Sequence, residues 1–289
     1  MKSNIKKKNN VLLKLLLFII IIIIAYLSIM EIKNYKDKND SISANSSIDG
    51  VEKKEEFKDL YYYNKENEKR YEDYKEKNPD ISVDDVVWMV NANIDNEFYT
   101  NTNKIEDVDS DLLLVNKYNK LPDNFVPKDL VKLESGYYVT SNTKTAFEKM
   151  QDDAREQGYN IGVTSAYRSI NSQKYLYNNY LTEDTQEVVD TYSSRPGYSE
   201  HHTGEAIDLI GSSASMEEFE KTKESKWVDE NAYKYGFVVR YKKGYEKITG
   251  YEYEPWHIRY VGVQIATEMK DKNINTLEEY YEKYIKSKK

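Results

Sequence analysis

The sequence predicts an α+β domain, a mainly antiparallel sheet with flanking helices, preceded by an N-terminal transmembrane helix. Two observations lead there. Segments of helical and strand character alternate irregularly and end in hairpin-like pairs, which favours α+β over a regular βαβ winding. Residues 11–30 form an almost wholly apolar run behind Lys2, Lys6, Lys7 and Lys8, enough to cross a bilayer as a helix.

The domain boundaries follow from composition. Residues 1–10 are the basic N-terminus and are expected on the cytoplasmic side. Residues 11–30 are the expected anchor; the run is longer than a signal peptide's apolar region, and Met30-Glu31-Ile32-Lys33 offers no small-residue cleavage site. Residues 31–78 read as a polar extracellular linker, rich in Ser, Asn and charge. Residues 79–289 then form the folded domain, outside the cytoplasm on a single-pass membrane protein.

Within it, 83–90 is the first dense apolar cluster, too short for periodicity to separate helix from strand. Leu112-Leu113-Leu114-Val115 reads as a buried strand. Over 143–157, Ala146, Phe147, Met150 and Ala154 share one helix face, and Gly158 stands where a left-handed residue ends a helix. Residues 161–165 are strand-like, and Ser169 or Asn171 caps a helix over 173–181, so Arg168 falls at a strand-to-helix junction. The Pro196-Gly197 pair marks 191–198 as a loop. Strands follow at 206–210, 237–241 and 253–260, with helices over 217–235, stopped by Gly236, and 263–270.

Composition narrows the chemistry. A hydrophobic fraction of 39% suffices for a core because 28 tyrosines can cover it with their rings and solvate their hydroxyls at its edge. The net charge of -8 and the lack of a basic run beyond the N-terminus exclude a nucleic-acid partner. With no cysteine, thiolate catalysis, disulfides and Cys-based zinc sites are excluded, leaving His, Asp and Glu as metal ligands.

The three histidines of the chain fall in two short segments, Ser199-Glu200-His201-His202-Thr203-Gly204-Glu205-Ala206-Ile207-Asp208 and Glu254-Pro255-Trp256-His257, each with a carboxylate close by. That pattern suggests ligands for one metal ion. An open zinc site needs about three such ligands and a water whose pKa the ion lowers. His201 and Asp208 can converge if Thr203-Gly204 turns the chain, and His257 is the default third ligand. His202 would point away if the backbone there is extended. Glu254 could serve as a base, although three residues before His257 an ideal strand would place it on the opposite face unless Pro255 bends the chain. Arg168 and Gln173 are candidates for holding an oxyanion or a substrate carboxylate.

These pieces resemble a known family. Ser165-Ala166-Tyr167-Arg168-Ser169 with Gln173, the stretch Arg195-Pro196-Gly197-Tyr198 leading into the first histidine segment, and Glu254-Pro255-Trp256-His257-Ile258-Arg259-Tyr260 are similar to the VanY-type D-alanyl-D-alanine carboxypeptidases, zinc peptidases related to the hedgehog and lysostaphin folds. The resemblance implies one zinc ion on His201, Asp208 and His257, with Glu254 as general base and then acid. It implies Arg168 as transition-state stabiliser, and Arg168, Gln173 and Ser199 as substrate contacts. His202 departs from the Gln found in many members, at a position that is not a ligand. The implied activity is removal of the terminal D-alanine from peptidoglycan stem peptides or precursors. An L,D-carboxypeptidase acting on tetrapeptide stems is the alternative, and a non-catalytic cell-wall-binding module, which would have no reason to keep Glu254, is a third reading.

Overall fold

The computed structural model describes residues 56–288 apart from 111, 213 and 214. The expected anchor at 11–30 lies outside the described residues, and among those described no helix is long and apolar enough to cross a membrane. The fold class is accordingly corrected to an α+β domain with no transmembrane helix among the described residues.

Packing begins well before Pro79. Helix α1 (Glu68–Lys77) buries Tyr71 against α2 (Val83–Asn91), and Tyr62, Val86, Val87, Trp88 and Val90 complete the cluster. The helical state of 83–90 is settled at its start, where Ser82 Oγ accepts from the Asp85 N–H and Asp84 and Asp85 occupy the first turn. Tyr71 is fully buried; its hydroxyl accepts from the Asn64 N–H at 3.1 Å and donates to Asn91 Oδ1 at 2.5 Å. A ring with its hydroxyl satisfied lets a highly charged segment cover a core. The compact unit therefore runs from Glu56, so residues 57–78 belong to it and not to a linker.

Two small pairs follow: β1 (Asn103–Lys104) with β2 (Asn119–Lys120), parallel, and the hairpin of β3 (Leu130–Lys132) and β4 (Tyr138–Thr140). Between β1 and β2 the run 112–115 is buried but pairs with no strand, contrary to expectation. Its side chains divide between two clusters, Leu112 and Leu114 in one, Leu113 and Val115 in the other. The Leu113 carbonyl is satisfied by Arg259 Nη2 at 3.1 Å, not by a ladder.

The central sheet is made of β5 (Gly162–Ser165), β6 (Ala206–Ile210), β7 (Phe237–Tyr241) and β8 (Glu254–Tyr260), ordered β5-β6-β8-β7 with every neighbouring pair antiparallel. Helix α3 (Ser141–Glu156) lays Phe147, Met150 and Ala154 in a core shared with Ile207, Leu209, Phe237 and Ile258. Because strand side chains alternate, Asp208 then projects from the other face of the sheet. Helices α4 (Ile170–Tyr180, capped by Ser169) and α5 (Gln186–Tyr192) separate β5 from β6; α5 takes up the start of the expected loop.

The single helix expected over 217–235 is three pieces: 3-10 turns at Phe219–Lys221 and Ala232–Tyr235 around α6 (Lys223–Asn231). Thr222 interrupts the run by capping α6, its hydroxyl accepting from the Ser225 N–H. After α7 (Glu246–Thr249) and β8 come α8 (Val263–Asp271) and α9 (Leu277–Tyr280), the last continuing through a π-helical turn at Tyr281–Ile285.

Tyr71→Ala tests the extended boundary. Loss of a buried ring should cost about 3–5 kcal/mol in urea unfolding, whereas a linker position would cost nothing measurable.

Candidate metal centre and its cleft

Three elements deliver the ligand candidates. In the β6–β8 register Asp208 lies directly opposite His257. His201 arrives from a 3-10 turn, Glu200–Thr203, that ends on Gly204 at φ 72°. A side chain at Gly204 would be strained at that φ, and its Cβ would lie 2.9 Å from Leu130 Cδ2. The turn folds the chain back so that β6 can start two residues later.

His201 Nδ1 lies 2.7 Å from the Ala166 carbonyl, which can only accept, so this nitrogen carries the proton and Nε2 is left bare 3.1 Å from Asp208 Oδ2. His257 turns Nε2 toward Glu200 Oε2 at 3.4 Å and Nδ1 toward Asp208 Oδ1 at 3.0 Å. All three residues are buried, their facing atoms lie within 4.8 Å of one another, and Asp208 Oδ1 makes no hydrogen bond. Two ring nitrogens directed at a buried, incompletely satisfied carboxylate fit a divalent cation.

Burial lowers His201, with Arg168 adding to the effect. Burial would lower His257 too, but Asp208 and Glu200 outweigh it and push its pKa up to about 9, so a proton holds His257 when no cation does. Burial would raise Asp208 and Glu200. The two histidines hold Asp208 well below the usual carboxylate range, as Arg240 and Arg259 do Glu200.

Glu254 shares the site, its Oε2 3.8 Å from His257 Nδ1. The apparent mismatch of their spacing is resolved by an irregularity in β8. Val239 pairs with Ile258 but Tyr241 pairs with Glu254, so β8 spans four residues where β7 spans two. Burial, with help from Asp208 and Glu252, pushes Glu254 up to about 8, against the pull of His257 and Arg168.

These groups line one cleft of about 440 Å³, together with Arg168, Gln173, Ser199, Tyr241 and Tyr251. Arg168 Nη1 donates to Gln173 Oε1 and Nη2 to Ser165 Oγ, both at 2.8 Å. Gln173 is buried, and its Nε2 donates to the Ser194 carbonyl at 2.8 Å and Ser193 Oγ at 3.2 Å, so both ends of its amide are occupied. Ser199 Oγ accepts from the His201 N–H at 3.3 Å. His202 lies on the 3-10 turn and not on extended backbone. Its Nδ1–H donates to the Arg168 carbonyl at 2.7 Å and its Nε2 accepts the Gly197 N–H at 3.2 Å, which leaves no lone pair for a metal. Burial lowers it to about 4, and it stays neutral as a strap between the two loops.

Sequence assigned no role to two supporting residues, Glu200 and Lys117. Glu200 is buried against His257, Arg240 and Arg259; the visible signal was an arginine set within each of two apolar strands, which demands a buried partner. Lys117, also buried, donates to the carbonyls of Asp190 and Gly250 and lies 4.2 Å from the Tyr251 ring centroid, holding the wall ahead of β8. Nothing in its sequence context separated it from the other lysines.

The chain is similar to known carboxypeptidases. The family model for D-alanyl-D-alanine carboxypeptidase, VanY, matches residues 136–263. The chain is 40% identical over 191 residues to the putative carboxypeptidase YodJ of Bacillus subtilis (strain 168), covering 62% of this chain and 70% of that one. It is similar to the solved LdcB LD-carboxypeptidase (TM-score 0.60, 39% identity, 64% of this chain and 91% of that one). It is also similar to the vancomycin-resistance D,D-pentapeptidase VanY of the VanB-type cassette, solved as a mutant with Zn(II) (TM-score 0.51, 30% identity, 58% of this chain and 97% of that one).

The pKa of about 9 on His257 sets a pH dependence for metal binding. Below that pH a cation must displace the proton, so the apparent affinity for zinc in a buffered competition titration should rise about tenfold per pH unit and level off as the proton leaves. An affinity that stays flat from about pH 6 to 8 would mean that His257 carries no proton there for a cation to displace.

Proposed function

The chain belongs to the VanY family of D-alanyl-D-alanine carboxypeptidases, and from that premise we propose that it is a zinc D,D-carboxypeptidase releasing the terminal D-alanine of peptidoglycan stem pentapeptides. The observation that carries this reading is the convergence of His201, Asp208 and His257 in one cleft with Glu254. Zinc held by the three would polarise the scissile carbonyl and acidify water.

The remaining work falls to the chain's own groups. Glu254, ionised, accepts the proton of the attacking water and returns it to the departing amine, so that water's oxygen ends on the new carboxylate and the C–N bond breaks. Its position beside His257 and the raised affinity for a proton that burial gives it suit both halves of that exchange. Arg168 presents its guanidinium to the oxyanion or the substrate carboxylate, and Gln173 and Ser165 fix it in that pose. Gln173, with both amide ends engaged, acts on substrate through Arg168, while the Ser199 hydroxyl is free to donate to the terminal residue.

A second reading, an L,D-carboxypeptidase on tetrapeptide stems, is favoured by the 39% identity to LdcB. Incubating the zinc-loaded protein with pentapeptide and tetrapeptide stems, and following D-alanine by mass spectrometry, decides between them. Release from pentapeptide is expected; release from tetrapeptide alone selects the second reading, and release from neither overturns both. Glu254→Gln should retain zinc and lose about 10²- to 10⁴-fold in kcat. His257→Ala should lose zinc and turnover together. Equal zinc loss in the two variants would make Glu254 a ligand.

A further inference from the structure

A chain of buried charges leads from the ligand candidates to the C-terminal segment. Glu200 Oε2 faces His257 Nε2 at 3.4 Å, and its Oε1 accepts from Arg240 Nε at 2.8 Å with Arg259 Nη1 at 3.4 Å. Arg240 gives its other two nitrogens to Glu278 of α9, at 2.9 and 2.7 Å, and Asn116 Nδ2 donates to Glu278 Oε1 at 3.0 Å. Glu200, Arg240, Arg259 and Glu278 are each at most 1% exposed. Removing so many charges from water is costly, and apolar residues of like volume would often be as stable or more so. Stability alone is therefore a weak reason for such a chain, whereas orientation of a ligand is a specific one.

Resting on the metal reading above, we propose that Glu200 is a positioning residue for the metal centre. It holds the His257 ring with Nδ1 toward Asp208 and His201, and Arg240, gripped by Glu278, holds Glu200. The centre is thus supported from α9, beyond residue 263 where the match to the family model ends. Without the Glu200 carboxylate, the His257 ring loses the charged acceptor that fixes Nε2 as its protonated nitrogen and is freer to present the wrong one.

The test uses Glu200→Gln and Glu278→Gln in the full chain, with zinc affinity read by chelator competition, Co(II) d–d absorption read on the cobalt-loaded protein, and folding read by circular dichroism. Glu200→Gln should weaken zinc binding about 10- to 100-fold and alter the Co(II) bands; Glu278→Gln should move both in the same direction by less. Wild-type affinity with unchanged Co(II) bands in Glu200→Gln would overturn the proposal. Should that variant not fold, Glu278→Gln decides by the same two readings, unchanged values again counting against it. A wild-type protein that binds no zinc would instead bring down the metal reading itself, and this inference with it.

Discussion

Asp208 and His257 face each other across β6 and β8, and the site depends on that pairing. The register is fixed by apolar neighbours: Ile207 and Ile258 are paired one step along and lie in the core under α3. Since a slip of one residue would reverse every side chain, packing on one face determines which groups meet on the other. The two bulges then adjust what ideal strands could not. One, between Val163 and Ser165, lies where β5 runs alongside Asp208; the other brings Glu254 beside His257.

Around this pairing the chain has placed side chains whose polar atoms are already engaged. His201 is tied to Ala166, His202 to Arg168 and Gly197, and Arg168 to Gln173 and Ser165. Groups held this way need little rearrangement when charge develops nearby. The electrostatics separate the roles as well. His201 and His202 are driven neutral by burial, while burial pushes the proton affinity of Glu254 up to about 8. One cleft therefore holds a bare imidazole nitrogen, Nε2 of His201, and a carboxyl group able to carry a proton.

How much of this could be read from sequence varied with how local the signal was. Scarce histidines beside carboxylates pointed to His201, Asp208, His257 and Glu254, and the glycine ending the turn lay in the same stretch. The α3 helix and the four strands of the central sheet followed from periodicity and from glycine stops. What escaped was set by distant partners. Tyr71 reads as one ring among charges until α2 covers it, and Leu112 to Val115 reads as a strand because both its faces are apolar, although they serve two different clusters. Glu200 and Glu278 are 78 residues apart and meet only through Arg240. The membrane-spanning helix expected at 11–30 has no counterpart among the described residues.

The central claim, that these three side chains hold one divalent cation, is most directly tested by X-ray absorption on the zinc-loaded protein, compared with His257→Ala. The account predicts one zinc per chain with nitrogen and oxygen ligands at about 2.0–2.2 Å, two of them imidazole, and loss of this bound zinc in the variant. Zinc with no imidazole scattering, or a spectrum indifferent to the loss of His257, would contradict it.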